Sequence, residues 1–472
     1  MAQTVRRAVA LEQLAGLPPW FRAERRRVRE RVSPMRQETA VARPTFADAY
    51  AGCGGLSLGL MRAGWKGLFA IERDPFAFTT LSTNLLSGKH PFQYDWPDGI
   101  EKRAWEINDL LSQRRAALAD LRGQIDLLAG GPPCQGFSDA GRRRRDDPRN
   151  RLFEAYLELV DILDPHFVLV ENVRGFTADF SGSKREKITN FAGALRQGLS
   201  AKYNLEWSII RACDFGVPQV RPRFFMVGAK KTGPGGGGIG AFFDQLRSQA
   251  SAFLYERRLP QWPTARDAIS DLETRRNGTV LSSDTAGFEA IAYKAPLTPY
   301  QKAMRAGHEG APPDTRLARH QPEIRDRFAA IIKAGHEEGR LGTTVSPETR
   351  EEFGLKKTAI RVLDPLSYAP TITSLPDDLL HYVEPRTLTV RETARLQTFP
   401  DWFAFKGNYT TGGHRRRKEV PRFTQVANAV PPLLAEQLGL VLLRLGFSRH
   451  LAQLNVDSVA QRDQRRLVFL QR

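Results

Sequence analysis

Two segments of this chain hold residues whose types and spacing could do chemistry. The first is Gly130-Gly131-Pro132-Pro133-Cys134-Gln135-Gly136-Phe137-Ser138. The apolar run before it, Ile125-Asp126-Leu127-Leu128-Ala129, predicts a strand. Cys134 then stands on a loop stiffened by two prolines, at the strand end where α/β proteins bind ligands. Most single cysteines are inert, small core residues. One held outward by such neighbours is a candidate nucleophile, because the thiolate is the reactive form. The second segment runs from Thr45 to Leu56, Thr-Phe-Ala-Asp-Ala-Tyr-Ala-Gly-Cys-Gly-Gly-Leu, a strand leading through a glycine turn into a helix. Glycines there let the backbone approach a ligand and face it with a helix N-terminus. Glu72 follows Gly52 by twenty residues, at the end of the next predicted strand. A carboxylate so placed can accept both ribose hydroxyls of a nucleoside cofactor. The turn lacks the Gly-x-Gly-x-x-Gly spacing and no Lys-Ser or Lys-Thr follows, so an adenosine cofactor without a pyrophosphate fits better than a dinucleotide or a P-loop nucleotide. A tight structural turn is the alternative reading.

These residues need a scaffold, and the apolar pattern supplies one. Short apolar runs alternate with helical stretches from Thr45 onward, the rhythm of a βαβ protein with a parallel sheet. Strands are expected at 45–50, 67–72, 125–129, 167–171, 205–212 and 223–229. The rhythm stops at Lys230-Lys231-Thr232-Gly233-Pro234 and Gly235 through Gly238, which reads as a linker. Residues 231–385 are irregular, and helical periodicity returns at Val390–Leu396 and Pro432–Leu445. The implied organisation is a basic extension (1–44), a first α/β part (45–230), an insert (231–385), a return segment (386–447) and a basic tail (448–472).

Composition bounds the function. The chain has 472 residues, room for roughly two to four domains, and its 41% hydrophobic and 26% charged residues are those of an ordinary globular protein. No run of about 18 apolar residues speaks for a membrane span, and Met1 to Arg7 lacks the pattern of a secretory signal. Cys53, Cys134 and Cys213 form neither a disulfide framework nor a zinc spacing, so no metal is expected and a reducing cytoplasm is. The formal charge is +18 and the isoelectric point about 10.1, which points to a polyanionic partner, most commonly nucleic acid.

With these segments in view the chain resembles the DNA cytosine-5 methyltransferases. Pro-Pro-Cys-Gln-Gly-Phe-Ser (132–138) follows Asp-Ala-Tyr-Ala-Gly-Cys-Gly-Gly (48–55) as in that family. The remaining blocks stand in the family's order: Glu171-Asn172-Val173, Gln219-Val220-Arg221-Pro222-Arg223, Arg391-Glu392-Thr393-Ala394-Arg395-Leu396-Gln397-Thr398-Phe399-Pro400, and Gln425-Val426-Ala427-Asn428-Ala429-Val430-Pro431-Pro432. Tyr50 departs from the family's Phe, and Ala427 from its Gly.

The resemblance implies a Rossmann-like, S-adenosylmethionine-dependent methyltransferase domain with a smaller, irregular target-recognition domain in the insert. It implies Cys134 as the nucleophile, only a few per cent thiolate at a free pKa of ~8.5. Glu171 would hold or protonate the cytosine N3, with Arg221 and Arg223 orienting Glu171 and the base or supporting the anion. The implied donor pocket takes Tyr50, Ala51, Gly52, Gly54, Gly55, Leu56 and Glu72, with Asp95 and Trp96 at the adenine and Asn428 and Val430 from the far end of the chain. Double-stranded DNA is the implied partner, touched by Gln135, Ser138 and the run Arg142-Arg143-Arg144-Arg145. A monomer in a prokaryotic cytoplasm, associated with the nucleoid, is expected, with a cognate restriction endonuclease as a functional partner. A tRNA methyltransferase of the same fold is the competing enzyme, though its Cys-Phe-Thr run is missing from the chain. An inactive DNA-binding regulator is the competing non-enzyme, and the intact Cys134, Glu171, Arg221 and Arg223 speak against it.

Each phosphate neutralised by a basic side chain releases counterions, which steepens the salt dependence of binding. Replacing Arg142 to Arg145 with Ala is therefore expected to lower DNA affinity and flatten the slope of log affinity against log salt. An unaltered slope in a filter-binding titration would put the run in solvent.

Overall fold

The computed structural model describes residues 43–132, 151–177, 190–411 and 419–447. Its centre is a six-stranded sheet of β1 (Thr45–Ala49), β2 (Lys66–Ile71), β3 (Leu127–Gly130), β4 (Phe167–Val173), β5 (Tyr203–Arg211) and β6 (Pro222–Lys230), in the order β2-β1-β3-β4-β6-β5. The helices that build the site are α1 (Gly55–Ala63), α2 (Pro75–Leu85), α3 (Ile107–Gln113), α4 (Arg151–Leu163), α5 (Phe242–Glu256), α6 (Val390–Leu396), α7 (Arg422–Asn428) and α8 (Pro432–Gly446). The central strands are apolar without alternation because both faces are covered: Phe167, Val168, Leu169 and Val170 are all fully buried. All six expected strands are present, with ends shifted by one or two residues.

The expectation of a wholly parallel sheet is corrected. β2, β1, β3 and β4 are parallel, but β6 runs antiparallel to both β4 and β5. The cause is the length of the connection. Residues 212–221 join β5 to β6, and a parallel crossover needs about a dozen residues or more. The reversal serves the site. Parallel strands end at the ligand edge, whereas β6 begins there, so Val173 faces Arg223 and Glu171 faces Phe225 across the pair. The order of strands also reverses direction at β1, so the turns after β1 and β3 open onto one crevice.

The C-terminal helix closes the first domain. α8 lies against α1 with almost no side chain between them: a Cβ on Gly59 would stand 2.3 Å from the Ala435 Cβ and 2.5 Å from the Pro432 carbonyl oxygen. The Trp65 indole N–H donates to the Gly439 carbonyl at 2.9 Å. Residues 422–446 are long and apolar enough to cross a membrane, but most of that stretch is buried in the protein as core.

Two boundaries expected from the sequence move. The glycine run 233–238 is a folded turn, with Gly235 against the Phe167 ring. Ile239, Phe242, Phe243, Leu246 and Ala250 belong to the same core as the sheet, which therefore takes in the first half of α5. The reason is that the apolar face of α5 covers the sheet and α8. Phe253, Leu254 and Leu259 begin a second cluster, which also takes Leu388, Leu396, Ala427 and Leu433 from the return segment. The second lobe is irregular as expected, with mostly short helices around one of 16 residues (Pro322–Glu337) and the small pairs β7 (Thr279–Leu281) with β8 (Glu289–Ile291) and Arg361–Val362 with Leu379–Leu380. The basic extension, apart from Arg43 and Pro44, and the basic tail lie outside the described residues.

Where α6 meets α8, Thr398 has φ of +63° and is fully buried. That left-handed conformation is unfavourable for a β-branched residue. It aims the hydroxyl at the first turn of α8, where the Leu433 N–H donates to Thr398 Oγ1 at 3.1 Å, and α8 has no other side-chain cap because it opens on Pro431-Pro432. Thr398→Val keeps the shape and loses the cap, so it is expected to cost about 2 kcal/mol. Thr398→Gly should cost less by relieving the backbone, and Thr398→Ser should match or exceed the wild type. Urea melts in which Val equals Ser would remove the hydroxyl from this role.

Candidate active site

The crevice above β1 and β2 is organised around one carboxylate. Tyr50, Gly52 and Gly54 all have positive φ, at 60°, 57° and 93°, so the chain curls tightly after β1 and presents its amides. The Gly52 N–H donates to Glu72 Oε2 at 2.9 Å, and the Asp74 N–H to Glu72 Oε1 at 2.7 Å. Burial pushes the Glu72 carboxyl up and these two amides oppose it. A carboxylate has about four acceptor positions, so each oxygen keeps one for a ligand hydroxyl. A Cβ at Gly52 would meet nothing within 4 Å, so this glycine is needed for its backbone conformation rather than for close packing. Ala51 and Leu56 are buried beneath the turn. Tyr50 is half-buried, and its hydroxyl donates to the Leu152 carbonyl at the start of α4.

Asp95 and Trp96 are not at this crevice, which corrects the expectation for both. The Asp95 N–H donates to the Gly67 carbonyl at 2.8 Å, near the amino end of β2. Six residues of strand separate Lys66 from Glu72, about 20 Å at the usual rise. The Asp95 carboxylate pairs with Lys66 at 2.5 Å and is 68% exposed. Trp96 packs edge-on against Phe78 and Tyr94 and donates its indole N–H to the Ile100 carbonyl, as a core residue does. The chain reaches the ligand edge later: the Trp105 N–H donates to the Glu72 carbonyl at 2.8 Å. Glu106, which caps α3 through the Asn108 N–H, is therefore the acidic residue brought beside Glu72 and near Tyr50. Its signal in the sequence was the cap itself, an acidic residue just before the apolar start of a helix.

Beneath the turn lies a buried polar chain. The Tyr94 hydroxyl donates to Ser57 Oγ at 2.7 Å, and Ser57 donates to Asp48 Oδ2 at 2.5 Å. Burial pushes the Asp48 carboxyl up to about 7, against the hydrogen bond from Ser57.

The second half of the site lies across β3 and β4. Arg223 Nε stands 3.2 Å from Glu171 Oε1, both largely buried. Burial raises the Glu171 carboxyl, and Arg223 and Arg221 draw it back down. A Cβ on Gly131 would stand 3.2 Å from Glu171 Oε2, so this glycine lets the carboxylate approach the root of the Pro132–Cys134 loop. Asn172 donates from Nδ2 to the Pro132 carbonyl at 2.9 Å. It fixes that root, a role the sequence reading did not assign. Arg221 is fully buried and donates from Nη1 to the Ala427 carbonyl at 2.7 Å, while its Nε has no partner among the described residues. Arg223, not Arg221, thus holds Glu171, and Arg221 joins this half to α7. Asn428, exposed at the end of α7, and Val430, whose carbonyl faces Gly55, stand beside the glycine turn. Ala427 lies within α7 without positive φ, so no glycine is required there. Cys134, Gln135, Ser138 and Arg142 to Arg145 lie outside the described residues.

The family model described as C-5 cytosine-specific DNA methylase matches residues 45–444. The type II methyltransferase M.DdeI of Desulfomicrobium norvegicum is 32% identical over 83% of this chain and 86% of its own length. The type II methyltransferase M.XorII of Xanthomonas oryzae is 29% identical over 84% of each. Among solved structures, a prophage-encoded protein of E. coli described as a DNA modification methyltransferase aligns with a TM-score of 0.56 and 25% identity, over 85% of this chain and 99% of that one.

Asp48 gives the site a pH signature. A carboxyl whose pKa is raised on folding holds its proton in the folded state where the unfolded chain has lost it. Its stabilising contribution is present below the unfolded value of 3.8 and is lost as pH rises to about 7. Asp48→Asn lacks this loss, so its stability relative to wild type is expected to climb by up to about 4 kcal/mol between pH 4 and 7 and level off above. Parallel denaturant titrations with a constant difference across that window would refute the assignment.

Proposed function

Because this chain belongs to the C-5 cytosine-specific DNA methylases, we propose that it transfers a methyl group from S-adenosylmethionine to C5 of one cytosine, flipped out of a specific duplex site, through a covalent Cys134 adduct. The observation that carries this is the pairing of Glu171 with Arg223 at the root of the Cys134 loop, joined through Arg221 and the Ala427 carbonyl to the crevice at Glu72.

The residues at that crevice fit the donor. Glu72 keeps acceptor positions for two ribose hydroxyls, Tyr50 offers a ring for the adenine, and Trp105-Glu106 stands where Asp95 was expected. When bound, S-adenosylmethionine supplies an electrophilic methyl group. Everything else falls to the chain. Arg142 to Arg145, Gln135 and Ser138 would hold the duplex while the cytosine is extruded, at a cost of a few kcal/mol. The Cys134 thiolate forms a bond to C6. The electrons of the C5–C6 double bond move into the ring as Glu171 gives N3 a proton, leaving C5 nucleophilic. Arg223 holds the carboxylate for that proton transfer and Arg221 supports the charge nearby. After methylation a water molecule takes the C5 proton as the C6–S bond breaks, N3 returns its proton to Glu171 and the thiolate is restored. The relatives named type II methyltransferases support a role in restriction and modification, with an endonuclease sharing the site.

A duplex carrying 5-fluorocytosine at the target base tests the covalent step, because fluorine cannot leave C5 as a cation. A DNA–protein adduct that survives denaturation is expected. It should need S-adenosylmethionine, map to Cys134 and vanish in Cys134→Ser. An adduct at Cys53 or Cys213, or none on a substrate otherwise methylated at that base, would overturn the mechanism.

A further inference from the structure

We propose that Arg422 is a positioning residue for methyl transfer, tying the donor pocket to the second lobe through α7. This inference rests on the reading that the Glu72 crevice holds S-adenosylmethionine.

Arg422 opens α7 and is held from several directions. Its Nη1 donates to Asp284 Oδ2 at 2.6 Å and to Asp314 Oδ1 at 2.8 Å, and its Nε to the Gly407 carbonyl at 2.9 Å. The guanidinium lies 4.1 Å from the centre of the Tyr409 ring, and the Tyr409 hydroxyl donates to the same Asp284 oxygen. Asp284 sits in the turn between β7 and β8, the hairpin of the second lobe. Phe288 of that turn is joined to Tyr409 through Arg316, whose guanidinium is 4.2 Å from one ring and 3.7 Å from the other. The hairpin tip is thus locked to the first residue of α7.

Two routes run from this lock to the donor crevice. Along α7, Ala427 accepts Arg221, Val426 accepts Gln397 Nε2, and the Gln425 carbonyl accepts the Cys53 thiol of the glycine turn. The seven-residue helix ends on Asn428, so a tilt at Arg422 displaces that residue. Along the preceding strand of chain, the Val420 N–H donates to Asp74 Oδ2, and the Asp74 N–H to Glu72 Oε1. Both sides of the pocket therefore take their position from Arg422. Asp314 is almost fully buried and also accepts the Phe405 N–H and Arg391, so losing Arg422 unbalances a buried charge.

Calorimetry of the full chain with S-adenosylmethionine tests this. Arg422→Met is expected to weaken donor binding by about tenfold and Asp284→Asn by about threefold, with the donor KM raised and kcat at saturating donor nearly unchanged. Arg276→Met, in the same lobe but with a side chain bonded among the described residues to the Ala295 carbonyl alone, should stay within about twofold. Asp284 is more than a third exposed, so Asp284→Asn decides the matter if Arg422→Met does not fold. Variants that melt earlier yet bind the donor as wild type does would make Arg422 a fold-holding residue only and overturn the proposal. A wild-type chain that binds no S-adenosylmethionine would instead sink the donor reading, and this inference with it.

Discussion

The structure depends on the near contact of two helices from opposite ends of the chain. At Gly59 the backbone of α1 lies so close to α8 that any side chain would collide with Ala435. Dispersion and burial across so tight a surface are strong, but only for one relative position of the helices. That position brings Val430 onto Gly55 and leaves Asn428 at the rim of the glycine turn. A pocket composed of residues nearly four hundred apart can be precise because helices without intervening side chains have little room to slide.

The second lobe is fastened by a different force. Arg395 is fully buried and donates to Asp401 at 2.5 and 2.7 Å and to Asp271 at 3.2 and 3.3 Å. Arg391 reaches Asp314, the Pro313 carbonyl and the Phe403 carbonyl from the same helix. Burying such ions gains little over apolar packing, but removing one partner costs about 3–5 kcal/mol, so the arrangement penalises alternatives more than it stabilises the native one. Carboxylates from 271, 314 and 401 must all meet α6, which fixes where an irregular lobe sits against a regular one. Apolar contacts alone are too tolerant of sliding to do this.

What was legible in the sequence follows from this division. The six strands were readable because each is a short, mostly apolar or alternating segment rich in β-branched and aromatic residues or alanine, and the ligand edge followed from the glycines at 52, 54, 130 and 131. The direction of β6 was hidden, because apolar runs look alike in either orientation and only the short connection from β5 decides it. Asp95 was misplaced for a related reason. An acidic residue between aromatics suggests a site, yet its position depends on how far the chain has travelled back along β2, and the hydrogen bond from its N–H to Gly67 halts it at the wrong end. The first half of α5 was assigned to the insert because the preceding glycines look like a linker, although Phe242, Phe243 and Leu246 carry a face that the sheet needs covered. The burial of Arg391 and Arg395 was not legible, because it depends on Asp314 and Asp271, more than seventy residues away, as well as on nearby Asp401.

Glu72 and Glu171 show how one residue type is set in two different environments. Both are partly buried at the ligand edge and both carboxyls are raised by desolvation. Glu72 receives an amide N–H on each oxygen, from Gly52 and Asp74. Amides cannot give up a proton at neutral pH, so this arrangement favours the anion and fixes its remaining lone pairs toward a ligand. Glu171 pairs with Arg223 through Oε1, and its Oε2 lies beside Gly131. On the proposed mechanism Oε2 would be the oxygen that exchanges a proton while Oε1 stays paired with Arg223. On that proposal, exchanging the two environments would leave a rigid acceptor at the proton-transfer position and a labile acid at the ribose position. On the proposed function, the difference in hydrogen-bond partners, more than the burial they share, would separate a binding carboxylate from a reacting one.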